Sequence, residues 1–365
     1  MKVHLDLRTM MDYMDYDVRT SKSKHSIIFT VSIFCIFLWC YFISGFFSNV
    51  IDFAQLLKFL LPFSIITICI IILIKYVKYK KINIFSKYLF FLPALILIGG
   101  IIYFPVINTI LISFTEQVGL QRGGFNGIKN YITIFSDDVF YSVLLQTFYW
   151  TGGVLIFTII ISLYSAHIMN RDFYGKKIIQ TVFVLPWATA MIVTAVAYKL
   201  IYHGEFGYLN KIIYSFNKNF ENIYWLGEPK LVMPSLIFVG IMVSIPFTTI
   251  TFLAAMKTVP QELYESAEID GANSIQKFIN ITIPSIKHVT TVVVLINFIY
   301  IFNSFPIIWV LTHGGPVYRS HIMVTYLYEV AFTRLNFGVA SAIAVVIFFI
   351  ILIISVTYVH FAEKE

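Results

Sequence analysis

The stretch Thr258-Val-Pro-Gln-Glu-Leu-Tyr-Glu-Ser-Ala-Glu-Ile-Asp-Gly271, running on to Ile281-Thr-Ile-Pro284, is a polar island between two long apolar runs at 231–254 and 288–311. Its residues predict a short helix lying outside hydrocarbon. Pro260 suits a first turn that has no intrahelical donor to lose, Glu262 and Glu265 favour the positive N-terminal end, and Gly271 supplies a left-handed ending. Ala267 and Gly271, four residues apart, leave a low-relief face that another protein can approach closely.

Working outward, composition sets the solvent. Of 365 residues 59% are hydrophobic and only 12% charged, and the mean hydropathy is +0.82. Soluble domains are roughly half apolar and a quarter charged. A helix needs roughly 20 mostly apolar residues to cross about 30 Å of hydrocarbon. Eight stretches qualify, near 26–47, 54–74, 89–113, 142–166, 179–202, 231–254, 288–311 and 338–361. The first follows a polar segment containing Asp12, Asp15 and Asp17 and precedes no small-residue cleavage pattern, so it reads as a retained helix. The expectation is an all-α polytopic membrane protein with eight transmembrane helices. The lysine-rich segment from Lys75 to Lys87 divides an extension, 1–87, from a six-span core, 88–365, whose polar loop runs over 257–287.

Basic residues orient the chain, because cytoplasmic loops accumulate them. The two ends and the alternate loops, including Lys75 to Lys87, Arg171, Lys176, Lys177, Lys257, Lys277 and Lys287, hold 17 of the 26 Lys and Arg residues. The opposite loops hold seven, and Lys58 and Lys199 lie near outer helix ends, where a long stem can snorkel to the interface. Both termini are therefore expected in the cytoplasm. The net charge of +7 sits on that face and calls for no nucleic acid. Cys35, Cys40 and Cys69 lie inside the first two spans without metal spacing and read as packing residues.

The order Glu265-Ser266-Ala267, three residues, Gly271, nine residues, Ile281, one residue, Ile283-Pro284 resembles the EAA motif of ABC-importer permeases, with Ser266 in place of Ala and Ile283 in place of Leu. The likeness extends to Phe183-Val-Leu-Pro186, Phe206-Gly-Tyr-Leu-Asn210, Leu311-Thr-His-Gly-Gly-Pro316 and Phe337-Gly-Val-Ala-Ser341, in the order of the maltose and glycerol-phosphate branch. It covers about 88–361 and implies the type I ABC importer permease fold. It also implies a second permease subunit, two ATPase subunits that carry ATP and magnesium, and an extracellular solute-binding protein, all around a chain that itself holds no cofactor and catalyses no covalent reaction. The implied ATPase contact comprises Glu262, Glu265, Ser266, Ala267, Asp270, Gly271 and Pro284. The outer loop 114–141 is too short for the large periplasmic domain that some relatives insert.

Energy supply separates the transporter classes. The sequence has no Gly-x-x-x-x-Gly-Lys-Ser/Thr phosphate loop, and 142–361 place no Asp or Glu within a predicted span. Intramembrane acids are expensive and usually kept for proton relay, so an ion-coupled secondary transporter is the weaker alternative. A lipid-linked glycan enzyme would need a carboxylate cluster or His array that the sequence does not show.

Polar groups recur inside the apolar runs, as interhelical hydrogen-bonding groups or as the lining of a solute path. Asn297, Tyr300 and Ser304 recur at i, i+3 and i+7, with Asn303 beside them. Such groups need a protein partner or a wet cavity. The resemblance implies a sugar site there, joined by Trp187, Ser244 and Phe247. Ile301 and Met191 depart from the maltose pattern, which argues against maltose itself, and the lack of a mid-membrane base disfavours a phosphate ester.

Overall fold

The computed structural model describes residues 98–119 and 121–364. The spans expected at 26–47 and 54–74, the three cysteines, the Lys75–Lys87 boundary and the first part of the 89–113 span, 89–97, lie outside the described residues. Two units divide the chain, Met1–Ile101 and Ile102–Glu365. The second unit contains the loop 257–287 and the helices around it.

After a π-helical turn at Gly99–Tyr103, helix α1 covers Phe104–Ile112, with Pro105 tolerated in its first turn. Strands β1 (Thr115–Val118) and β2 (Gln121–Phe125) then pair antiparallel, a small departure from the all-α expectation. Asn130 fixes this hairpin by donating to the Ser113 and Thr115 carbonyls, both at 2.9 Å. Helix α2 spans Lys129–Phe135.

Helix α3 (Asp138–Asn170) is capped by Asp137, which accepts from the Val139 amide, and its 33 residues reach roughly 50 Å. Helices α4 (Lys176–Ala188), α5 (Met191–Ile201) and α6 (Tyr208–Phe216) follow. Then come α7 (Val232–Met256), α8 (Gln261–Ile269) and α9 (Ser274–Lys277). A π turn at Phe278–Thr282 leads to α10 (Lys287–Phe302), α11 (Phe305–Thr312), α12 (Met323–Tyr328) and α13 (Phe337–Lys364).

Among the described residues four helices are long and apolar enough to cross a membrane: Asp138–Asn170, Val232–Met256, Lys287–Thr312 and Phe337–Ala362. They match the spans expected at 142–166, 231–254, 288–311 and 338–361. The span expected at 179–202 is instead the pair α4 and α5, bent by 92°. Pro186 cannot donate to the turn before it, and Thr189 and Ala190 adopt extended backbone before the helix resumes at Met191. Counting that pair as one span gives five.

The central helix is α7, with 67% of its apolar window buried against 28% for α3. Gly240 allows this closeness, since a Cβ there would lie 2.7 Å from the Trp150 ring and 2.8 Å from Val154. Three apolar clusters stack along the bundle. Ile134, Phe140, Tyr326 and Ile343 pack at the hairpin end. Trp150, Leu236, Ile301 and Ile308 fill the middle. Ala166, Met169, Phe252, Met256, Ile286 and Val293 pack at the end that carries the loop 257–287.

Candidate functional site

Helix α8 forms where the sequence places it. Pro260 is extended and serves as N-cap, one position earlier than a first-turn role. At the other end Gly271 has φ +79°, its amide donates to the Glu268 carbonyl at 3.0 Å, and the Ala272 amide reaches the Ala267 carbonyl at 2.8 Å. These two bonds make a Schellman ending, which satisfies the last carbonyls and turns the chain sharply. Asn273 immediately starts α9 with a capping box shared with Gln276.

The exposed surface of this loop is acidic and partly apolar. Glu262, Glu265, Ser266, Asp270, Gly271 and Pro284 are exposed, and Ala267 is half-buried. Leu263 and Ile269 also face outward, Ile269 at 88% exposure. Glu262, Glu265 and Asp270 have no ion-pair partner among the described residues, whereas Glu268 is paired with Lys277. On its inner side the loop is tied down: the Tyr264 hydroxyl lies 2.9 Å from the buried Thr282 Oγ1. The Arg171 guanidinium donates to Ser274 Oγ at 2.7 Å, and the His167 ring meets Phe278 edge-on at 4.6 Å. Arg171, Tyr264 and Thr282 escaped sequence reasoning because their partners are distant in the chain. The one local signal was the Asn273-to-Gln276 cap.

The solute-path candidates divide into two sets. Trp187, ending α4, stacks on Phe247 of α7 with ring centroids 5.6 Å apart and planes 23° from parallel, and both rings are open at the surface. Tyr300 is also exposed, its hydroxyl directed at Met191 Sδ 4.0 Å away, just past the α4–α5 bend. Asn303 is exposed and donates to the Ile299 carbonyl at 2.9 Å. Asn297, in contrast, is buried, with Oδ1 3.1 Å from Thr248 Oγ1 and Nδ2 donating to the Val293 carbonyl at 2.9 Å. Ser244 is buried, its carbonyl accepting from Thr248 at 2.9 Å. Ser304 is buried with Oγ unpartnered.

The i, i+3, i+7 stripe is therefore not one face of one helix. Pro306 withholds an amide from the preceding turn, so α10 stops at Phe302 and α11 restarts after Ser304. Asn297 and Ser304 turn inward while Tyr300 and Asn303 stay outside.

The other quoted motifs acquire physical reasons. Asn210 is buried and donates to the Gly204 and Ile223 carbonyls at 2.7 and 2.9 Å while accepting from Trp225 Nε1 at 2.8 Å. Gly314, at φ +84°, lets the His321 ring pack on its backbone, since a Cβ would fall 2.0 Å from Nε2. His321 Nε2 in turn lies 2.8 Å from Glu329 Oε2, and Arg334 donates to Glu329 Oε1 at 2.9 Å. Gly338 leaves room for the Thr115 carbonyl, which a Cβ would approach to 2.6 Å. Among the described residues no group of His, Cys, Asp or Glu could hold a metal ion.

Comparison with known proteins agrees with this arrangement. Residues 158–364 match the family described as binding-protein-dependent transport system inner membrane component. A probable ABC transporter permease of Brucella suis biovar 1 (strain 1330) is 36% identical over 280 residues, covering 76% of this chain and 96% of the relative. The trehalose/maltose transport system permease of Thermococcus litoralis is 30% identical over 285 residues, covering 77% and 94%. In structure, a chain of a bacterial ABC transporter involved in import of the acidic polysaccharide alginate superposes with a TM-score of 0.70 at 23% identity, covering 80% of this chain and 98% of that one. The motif resemblance and the fold agree, and the protein is a membrane-embedded translocation subunit with no enzymatic activity of its own: it belongs to the binding-protein-dependent inner membrane permeases of ABC transporters.

Proposed function

We propose that this permease moves a carbohydrate-type solute inward across the cytoplasmic membrane, with both termini in the cytoplasm. It pairs with a second permease subunit and receives solute from an extracellular solute-binding protein. Two ATPase subunits, which hold the ATP and magnesium, dock on the loop 257–287. Residues 1–87 form an extension to the core 88–365, and its two helices complete a count of eight.

The observation that carries this reading is the exposed helix α8. It offers Glu262, Glu265 and Asp270, unpaired among the described residues, with Leu263 and Ile269, on a backbone closed by Gly271 and anchored to the bundle beneath. An acidic and apolar knob on a rigid base suits a basic, apolar-lined groove in a partner. An ion-coupled carrier has no use for such a knob. For the solute, the exposed Trp187–Phe247 stack beside Tyr300 and Asn303 supplies ring faces for the apolar faces of a sugar and polar tips for its hydroxyls. Relatives that carry trehalose and maltose favour the same class.

Two measurements test the proposal. ATPase subunits co-expressed with the chain should co-purify with it, and Glu265→Lys should abolish uptake while membrane insertion persists. Binding of a panel of neutral oligosaccharides, monosaccharides and glycerol phosphates to the cognate binding protein should select a sugar. Co-purification without any sugar binding would leave the permease and overturn the carbohydrate assignment.

A further inference from the structure

Loop 257–287 is joined by chain to α7 and α10, yet its side-chain ties also lead to a third helix. Arg171, the residue that caps α3, donates to Ser274 Oγ at 2.7 Å and lies 3.1 Å from His167 Nε2. His167 in the last turn of α3 meets Phe278. Beneath them Ala166 and Met169 of α3 pack with Phe252 and Met256 of α7, with Ile286 at the loop's end and with Val293 of α10, and Val259 and Phe278 of the loop lean on this cluster. Within the loop, the Glu268–Lys277 pair and the Tyr264–Thr282 hydrogen bond bind α8 to α9 and to the turn that follows. Side-chain contacts thus run without a gap from α8 through α9 and the following turn to the end of α3.

We propose that Arg171 is a positioning residue for energy coupling: it registers the loop block on α3, so that a push on α8 is delivered to α3 together with α7 and α10. The inference rests on α8 being the ATPase contact. Arg171 itself touches neither solute nor nucleotide. One terminal nitrogen of its guanidinium reaches both Ser274 Oγ and His167 Nε2, so a single group ties the loop to the last turn of α3. Because α3 also carries Trp150 and Val154 in the central cluster, the same helix reaches the middle of the bundle.

The test uses the assembled importer with its ATPase subunits in lipid nanodiscs. Spin labels replace the exposed Asp172 and Asn280, and Cys35, Cys40 and Cys69 become alanine. Distances are measured without nucleotide and after trapping with ATP and vanadate. With Arg171 present the distribution should be narrow and the same in both states. Arg171→Ala and Ser274→Ala should broaden it and lose the coupling of ATP hydrolysis to uptake, while complex yield is retained. Ser274→Thr, which keeps the hydroxyl, should restore the narrow distribution. A distance that shifts between states with Arg171 present, or that stays narrow in Arg171→Ala, overturns the inference. Failure of the ATPase to bind the unsubstituted chain overturns the functional reading instead.

Discussion

The Trp150 indole donates Nε1–H to the Ile301 carbonyl at 2.9 Å, joining α3 to α10 across 151 positions of sequence. Ile301 sits in the last turn before the break imposed by Pro306, where helix carbonyls lose their ordinary partners. The indole supplies one of the missing donors, and its ring fills the space that Gly240 leaves open on α7. One side chain thus holds the broken span, the central helix and the long helix together.

Trp150→Phe should therefore lower the melting temperature of the purified protein. The ring remains largely filled, but a buried carbonyl loses a donor, at about 1–3 kcal/mol. The Ser304 amide still approaches the Ile301 carbonyl at 3.1 Å, which favours the lower end of that range. Gly240→Leu should be more damaging, since it drives carbon into the Trp150 ring. An unchanged melting temperature in Trp150→Phe would show that the indole donor contributes nothing.

The loop helix was legible because its signals are local. Pro260 and Gly271 lie within two residues of the helix they bound, and turn chemistry acts over that range. The bent α4–α5 pair and the broken α10–α11 span were hidden by the same apolar composition that revealed the membrane. Hydropathy averages over a kink, although Pro186 and Pro306 marked both places. Ser304 lies past the end of α10, so a periodicity argument carried beyond Phe302 left the helix, and within α10 the bundle buries Asn297 while Tyr300 stays exposed. The Trp150–Ile301 and Arg171–Ser274 bonds link distant positions, and no window on the sequence contains either.

At Gly271 the backbone requires left-handed geometry, but the space around it is open, with no atom within 4 Å of the place a Cβ would occupy. Asparagine tolerates that geometry, so Gly271→Asn should keep the helix ending and assemble normally. Gly271→Val should strain the turn by about 1–2 kcal/mol and roughen the exposed face. Uptake should be retained in the first and lost in the second, with similar amounts of protein in the membrane. Equal uptake in both variants would remove Gly271 from the docking surface.

At the hairpin end, His321 gives stability a pH dependence. Burial pushes its imidazole below the ordinary value of 6.5, Glu329 pulls it part of the way back, and Arg334 lowers it further. The unfolded chain then takes up a proton more readily than the folded one. Stability from this site is complete above pH 6.5 and declines as pH falls through 6.5 toward the lower folded value. Melting temperature should drop with acidification over that window, and His321→Gln should flatten the drop because it can still donate to Glu329. A slope that survives the substitution would assign the pH dependence to other groups.

The solute path can be separated from the packing around it, because the candidate residues fall on two sides of one boundary. Trp187 and Tyr300 are open at the surface, so Trp187→Ala and Tyr300→Ala should reduce uptake while changing stability by about 0.5 kcal/mol or less. Asn297 is different. Its amide is enclosed between α7 and α10, and Asn297→Ala empties that space. Thr248 keeps its bond to the Ser244 carbonyl, so the loss should be about 1 kcal/mol, read as a lower melting temperature alongside any fall in uptake. Cysteines give the geometric counterpart. Those placed at 187 and 300 should react with polar thiol reagents in the assembled importer and be shielded by transported sugar, while those at 297 and 304 should stay inert. A cysteine at Lys199, whose ammonium reaches the Val310 carbonyl at 3.1 Å, should react whether sugar is present or absent. Reaction at 297 and 304 with silence at 187 and 300 would reverse the assignment and return the path to the inner face of the broken span.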